Sequence, residues 1–238
     1  MQKIMGLMRK AMEQYEMINE GDVVAVGLSG GKDSVALLFC LSTMRRYYPK
    51  TYDLKAILLD PCFHGPMEEA SVNQMRDLCA HLEVEFIYEQ TNIGHVVFSA
   101  TETKYPCSLC AKLRRGTLCK VAAEHGCNKL ALGHHRDDVV ETFYMNLLDR
   151  GSLGCFAPVT HLSDTGMTVI RPMVMVPEQD IASALARNGL PILASTCPVD
   201  KATERQRIKF LLATLRQDYP AIPQNVISIL QSNHINNW

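Results

Sequence analysis

The stretch Val23-Val24-Ala25-Val26-Gly27-Leu28-Ser29-Gly30-Gly31-Lys32-Asp33-Ser34 decides the fold. Its first half is a continuous apolar run of strand length, and residues Ser34 to Tyr48 carry an apolar helical pattern. The two glycines at the junction let the backbone take a positive φ and approach a ligand closely. The helix opening there offers unpaired N–H groups and the positive end of its dipole, so the junction suits an anion. Lys32 adds a mobile charge, and Ser29 and Ser34 add hydroxyl donors. The loop is not a Walker A motif, which has glycine five residues before its Gly-Lys pair and Ser or Thr after the lysine. Val26 and Asp33 occupy those places. Nor does it carry the Gly-x-Gly-x-x-Gly of a dinucleotide site.

The same alternation continues outward. Residues 2–19 place Ile4, Leu7, Met8, Met12, Tyr15 and Ile18 at helical spacing. Leu54 to Leu59 and Val84 to Tyr88 read as strands, with a helix from Glu68 to Leu82 between them. A region without clear period runs to Pro106. A helix from Ala111 to His125, a strand from Lys129 to Leu132 and a helix from Asp137 to Leu148 follow. Asp164-Thr165-Gly166, between two short runs within Pro158 to Pro172, predicts a hairpin on the sheet edge. The rest reads as a helix from Glu178 to Asn188, a short strand from Ile192 to Ser195, a helix from Thr203 to Asp218, and a last helix after Pro223. Near-continuous apolar strands alternating with helices predict an α/β fold, a parallel sheet with helices on both faces. No linker divides the chain, so residues 1–238 are read as one domain: a helical arm (1–20), a core (21–200) and a helical C-terminal extension (201–238).

With 238 residues, 47% hydrophobic and 21% charged, the chain has the balance of a globular protein, which excludes disorder and disulfide-stapled miniproteins. The longest apolar run, Val35 to Leu41, is too short for a bilayer span. The basic, h-region-free N-terminus predicts no signal peptide, hence a cytoplasmic protein without a membrane partner. A net charge of −1 advertises no nucleic acid. Locally, Lys104 to Ala123 holds five basic residues and no acid, and Lys201 to Arg216 holds five against Glu204. Such stretches serve equally as solvated helix faces or as phosphate contacts.

In its strand–turn–helix context, Ser29-Gly30-Gly31-Lys32-Asp33-Ser34 resembles the PP-loop of the ATP pyrophosphatase superfamily. The resemblance implies an adenine nucleotide α-hydrolase-like fold and cleavage of ATP between its α and β phosphates. AMP would pass to a substrate oxygen, and the loop would hold pyrophosphate. Ligands of open α/β sheets sit beyond the carboxyl ends of strands. Leu59 and Asp60 end the second strand there, as Gly133 and His134 follow the fourth. Asp137 and Asp138 head the next helix, where carboxylates suit the dipole and could carry Mg²⁺. Zinc on His134 and His135 is disfavoured, since adjacent residues point different ways.

Nine cysteines without a secretory signal argue for reduced thiols, metal or catalysis. Cys107-Ser108-Leu109-Cys110 is a CxxC lacking the partner CxxC of a zinc ribbon. Cys197 follows the predicted Ile192 to Ser195 strand, on the phosphate-loop edge. Cys40, Cys79, Cys119 and Cys127 sit on apolar helical patterns and read as core. Cys62 lies at the active edge, as an extra ligand or sulfur relay, and Cys155 has no evident place. The PP-loop, the CxxC with Arg114-Arg115-Gly116 behind it, Gly133-His134-His135-Arg136-Asp137-Asp138-Val139-Val140-Glu141-Thr142, and a later cysteine before a basic helix together resemble the tRNA 2-thiocytidine synthetase family over roughly residues 20–215.

That resemblance implies an ATP- and Mg²⁺-dependent sulfurtransferase that adenylates the 2-oxo group of a tRNA pyrimidine, cytidine 32, and replaces oxygen with sulfur. It implies a [4Fe-4S] cluster on Cys107, Cys110 and Cys197, and a nucleotide site of Leu28, Ser29, Gly30, Gly31, Lys32, Asp33, Ser34, Leu59, Asp60, Gly116, Gly133 and His134. It further implies catalytic roles for Lys32, Arg114, Asp137 and Cys197, and a sulfur donor such as a cysteine desulfurase or sulfide. Lys112, Arg114, Arg115, Arg205, Arg207 and Lys209 are candidate RNA phosphate contacts, Arg114 and Arg205 alternatively ATP contacts. The apolar N-terminal helix offers a face for a partner copy in a homodimer. The alternative function is a PP-loop ligase without cluster chemistry, resembling tRNA lysidine synthetase or a small-molecule amidotransferase.

Overall fold

The apolar run that opens the phosphate loop forms the centre of a sheet. In the computed structural model, which describes residues 1–99, 106–199 and 204–238, the elements in chain order are α1 (Gln2–Gln14), β1 (Asp22–Leu28), α2 (Lys32–Met44), β2 (Tyr52–Asp60), α3 (Glu69–His81), β3 (Glu85–Gln90), α4 (Ile93–Ser99), α5 (Pro106–Glu124), β4 (Lys129–Ala131), α6 (Arg136–Arg150), β5 (Val159–His161), β6 (Thr168–Ile170), α7 (Glu178–Asn188), α8 (Glu204–Asp218) and α9 (Ile222–Ser232). The sheet order is β3-β2-β1-β4-β6-β5. Every pairing is parallel except β5 with β6, the expected edge hairpin.

Side chains of β1 alternate between two layers, as the two-residue period of a strand requires. Val24, Val26 and Leu28 join the large core with α1, α2 and α6–α9, while Ala25 joins a smaller core under α5 with Ile57, Leu130 and Val169. Both faces are covered, which is why the strands read as continuous apolar runs. Strand order reverses between β1 and β4, and ligands of such sheets bind at that point, beyond the carboxyl ends.

Four expectations change. Residues 192–195 form no strand; the segment's Leu193 N–H is taken by the Gly30 carbonyl at 2.9 Å, and β5 already closes that side of the sheet. The aperiodic region contains α4, whose Ile93 and Val97 pack with Leu59 and Cys110. Helix α5 is already formed at Pro106, ahead of the expected Ala111, so Cys107 and Cys110 lie on the helix itself. The apolar face of α1 is spent within the chain: Ile4, Met8, Ala11 and Met12 are buried in the main core and offer nothing to a partner copy. Ile208, Leu212, Val226 and Leu230 of the C-terminal helices belong to the same core. The expected start of α8 at Thr203 and the boundary at 200/201 lie outside the described residues.

At the opposite end of the sheet from the phosphate loop, Lys129 and Asp22 form a buried ion pair at 2.8 Å. Lys129 also donates to the Met17 carbonyl and Asn128 to Asp22, each at 2.7 Å, so both charges are hydrogen-bonded as burial demands.

Candidate active site

The phosphate loop is closed on itself by short-range bonds. Ser34 Oγ accepts from Ser29 N–H at 3.1 Å and donates to the Gly31 carbonyl at 2.9 Å. Ser29 Oγ accepts from Gly31 N–H at 3.3 Å. Gly30 has φ +75°, and a Cβ there would lie 2.6 Å from Leu193, so the position takes glycine for its conformation and for the chain crossing it. Gly31 caps α2, aiming that helix N-terminus into the loop. Leu28 is buried beneath.

Lys32 pairs with Asp33 at 2.8 Å and with Glu178 at 3.1 Å. Burial opposes its charge, but the two acids outweigh that and hold its pKa above the ordinary value. Glu178 also pairs with Lys209 at 2.7 Å. Burial alone would raise the Glu178 carboxyl; Lys209 and Lys32 overcome it and draw the pKa down to about 2. Sequence reading missed Glu178, which looks like any acid in the first turn of a helix.

Behind the loop, a Cβ on Gly133 would stand 3.1 Å from the carbonyl carbon of Asp33, so glycine there permits the β4–α6 turn to pack against α2. His134 follows, its ring 4.8 Å from that of Phe156 and its Nδ1 buried without a partner. Burial, with the nearby Arg171 and Arg205 charges, outweighs Asp138 and lowers the His134 pKa to about 4. His135 caps α6: its Nδ1 accepts from Asp138 N–H at 3.2 Å, and the Asp138 carboxylate accepts from His135 N–H at 2.9 Å.

The acids of this segment have protein partners throughout. Asp137 accepts from Arg216 and from Glu178 N–H, each at 2.8 Å. Asp138 accepts from Arg205 at 2.8 Å, Glu141 from the same Nη1 at 3.3 Å, and Thr142 Oγ1 from its Nη2 at 3.4 Å. With all four oxygens of Asp137 and Asp138 engaged, this pair as arranged does not fit a directly bound Mg²⁺. The two arginines clamp α8 onto α6. Arg205 and Lys209, expected to meet RNA or ATP phosphates, are thus engaged within the chain, as is Arg207 with Glu204 at 3.2 Å. Lys112 and Arg115 remain exposed on α5.

Beyond β2, Asp60 is buried and accepts from Cys62 N–H at 2.8 Å, Met67 N–H at 2.6 Å and Tyr88 O–H at 2.8 Å. It organises the loop after β2. That loop and Leu59 wall a cavity of about 200 Å³ shared with Ser29, Gly31, Arg114, Leu193 and Cys197. Arg114 lies over the Phe63 ring at 5.6 Å, its Nε buried without a partner. Gly116 has open space at its Cβ position and does not line this cavity. Cys62 lines a separate open groove of about 570 Å³ with Asn92, Ile93 and Leu113.

Cys107 and Cys110 project from the first turns of α5, one exposed and one buried, and Cys197 stands on the cavity wall, partly exposed. The three are electrostatic neighbours: burial raises the Cys107 pKa, Cys197 and Cys110 raise it further, and Arg114 lowers it. Among the described residues no three His, Cys, Asp or Glu are gathered closely enough for a single metal ion. Three free thiols in one neighbourhood suit a polynuclear iron–sulfur cluster, whose irons each take one thiolate. Cys40, Cys79, Cys119, Cys127 and Cys155 are buried; Cys155, which the sequence left unplaced, donates its S–H to the Val139 carbonyl at 3.5 Å.

The model of the PP-loop domain family matches residues 4–215. The tRNA-cytidine(32) 2-sulfurtransferase of Citrifermentans bemidjiense is 40% identical over 232 residues, covering 94% of this chain and 88% of that protein. The chain belongs to this PP-loop family. A second member, from Syntrophotalea carbinolica, is 41% identical over 96% of this chain and 88% of its own. Among solved structures, the U34-tRNA thiolase NcsA from Methanococcus maripaludis with its [4Fe-4S] cluster shares the fold, with a TM-score of 0.78 at 23% identity over 95% of this chain and 78% of its own. The NH3-dependent NAD synthetase of Campylobacter jejuni shares it more loosely, with a TM-score of 0.53 at 16% identity over 97% and 92%. Among the described residues no helix is long and apolar enough to cross a membrane.

Proposed function

We propose that the chain, as a member of this family, uses ATP to replace the 2-oxo oxygen of cytidine 32 in tRNA with sulfur. One observation carries the reading. The segment bearing Cys197 lies across the phosphate loop, bonded through Leu193 N–H to the Gly30 carbonyl, so the loop and Cys197 line one cavity, and Cys107 is an electrostatic neighbour of Cys197. In the first step the base oxygen attacks the α-phosphorus of ATP and pyrophosphate leaves. The Gly31 end of α2 and Lys32 stabilise the charge on pyrophosphate. Lys32 must exchange its acid partners for phosphate oxygens to do so. In the second step sulfide adds at C2 and AMP departs with the original oxygen; the sulfide is supplied as such, or from the persulfide of a cysteine desulfurase after two-electron reduction by an external thiol that ends as a disulfide. Cys107, Cys110 and Cys197 would hold a [4Fe-4S] cluster, which when bound supplies an iron site able to carry sulfide. Arg114, beside Cys107 and on the cavity wall, is placed to offset negative charge there. Mg²⁺ belongs to this reading as a counter-ion of the ATP phosphates rather than as a ligand of Asp137 and Asp138.

The test is the thiolated nucleoside content of tRNA from a deletion strain, with iron and acid-labile sulfide measured on anaerobically purified protein. The expected results are loss of 2-thiocytidine, and iron that disappears in Cys107→Ala, Cys110→Ala and Cys197→Ala but persists in Cys119→Ala. An unchanged nucleoside profile would overturn the substrate, and full activity of Cys107→Ala would favour the ligase chemistry.

A further inference from the structure

Arg171 follows β6 at the carboxyl edge of the sheet and is only 4% exposed. One side of its guanidinium is held: Nη1 donates to the Ala157 carbonyl at 2.6 Å and to Thr160 Oγ1 at 3.0 Å. The group lies over the Phe156 ring, 5.2 Å from its centre. Among the described residues the other edge has no hydrogen-bond partner. Nε is buried without a partner, and among the described residues no carboxylate pairs with this arginine. Burial draws its pKa down to about 10, Arg115 adds to the lowering, and Cys155 alone opposes it. A buried cation lacking a counter-charge is costly, and the Nε–Nη2 edge is the fork that grips a phosphate with two parallel bonds.

The surroundings add a second cation and a neutral imidazole with an unpartnered ring nitrogen. Arg115, exposed on α5, is close enough for the two charges to repel. His134 packs on the same Phe156 and leaves its buried Nδ1 unpartnered. This cluster is separate from the phosphate loop: β6 lies two strands from β1, about 10 Å at ordinary strand spacing. The phosphate loop has its own helix N-terminus and lysine for ATP. An aromatic ring beside arginine and histidine is also the kind of surface on which single-stranded RNA is held.

We infer that Arg171, Arg115 and His134 form a second phosphate subsite, and that its occupant is a backbone phosphodiester of the RNA beside the base being modified. The oxyanion chemistry follows from the residues; naming RNA as its source rests on the thiolation reading. Arg171 is then a binding residue, and the unpaired charge is completed when RNA docks.

The experiment is binding of the full chain to an anticodon stem-loop RNA across a salt series, with ATP binding measured in parallel. Arg171→Met keeps bulk and removes charge. Arg171→Lys keeps charge but loses the fork. Arg115→Gln alters an exposed residue and carries the test if Arg171→Met does not fold. Arg171→Met is expected to weaken RNA binding about tenfold and to flatten the slope of log K against log salt by about one phosphate contact. Arg115→Gln should flatten it similarly, Arg171→Lys should recover part of the affinity, and ATP binding should stay unchanged in all three. Wild-type RNA affinity and slope in both Arg171→Met and Arg115→Gln would overturn the subsite while leaving the thiolation reading intact, Arg171 then being only a brace for the β5–β6 hairpin. A loss of ATP affinity in place of RNA affinity would overturn RNA as the source of the phosphate. A wild-type chain that binds no RNA at any salt would remove the thiolation reading and the RNA assignment together.

Discussion

The ammonium of Lys32 stands 3.1 Å from the carboxylate of Glu178, so the cation of the phosphate loop is paired with an acid brought from the start of α7. A ligand phosphate must compete with that acid. Glu178→Gln removes the competing charge and keeps the shape. We expect ATP to bind up to about fivefold more tightly to the variant, the equivalent of roughly 1 kcal/mol for a partly exposed pair. Isothermal titration of wild type and variant measures it, and weaker binding would mean that Glu178 holds Lys32 in its working position.

Two groups set separate acid limits on stability. Glu178 has its folded pKa drawn down to about 2 from 4.5. Its contribution is therefore present above the unfolded value and is lost as pH falls through the interval below it; screening limits it to the order of 1 kcal/mol. His134 is lowered from 6.5 to about 4. Here the unfolded chain takes up a proton that the folded chain refuses, so stability declines as pH drops from 6.5 towards 4. Urea midpoints across pH should show both windows, with the upper one reduced in His134→Asn and the lower one reduced in Glu178→Gln, the remainder of the latter coming from the other depressed acids Asp22, Asp60 and Asp137.

Arg205 serves Asp138, Glu141 and Thr142 at once, and Glu141 is buried with its pKa raised by burial and by the Asp138 charge. Arg205→Met would strand that carboxylate. A loss of about 2 kcal/mol in chemical denaturation is expected, less than for a fully buried pair because Arg205 is partly exposed. Adding Glu141→Gln should recover part of it.

The Asp22–Lys129 pair is buried on both sides. Lys129→Met leaves Asp22 with an uncompensated charge and should cost about 3–5 kcal/mol, whereas the double change Asp22→Asn with Lys129→Met should be milder. A double variant as unstable as the single one would count against this electrostatic account.

Much of this protein is written locally. The β1 run, the Ser29–Ser34 loop and α2 are consecutive, so period and turn chemistry specify them without the rest of the chain. The edge hairpin around Asp164-Thr165-Gly166 was legible for the same reason. So were the buried Cys40, Cys79 and Cys119 of α2, α3 and α5. The misread segment at residues 192–195 has the composition of a strand but hydrogen-bonds to the phosphate loop, a partner far away in sequence.

The sequence by itself determined which chemistry the chain carries: a phosphate-binding turn, three candidate thiolates, and acids beside histidines. Only the tertiary structure decided which charges are spent. It gave Asp137 to Arg216 and Asp138 to Arg205, paired Lys32 with Glu178, and left Arg171 without an acid among the described residues. The reason is physical. Backbone geometry follows from neighbours a few residues apart, whereas the partner of a buried charge is set by which elements pack against it.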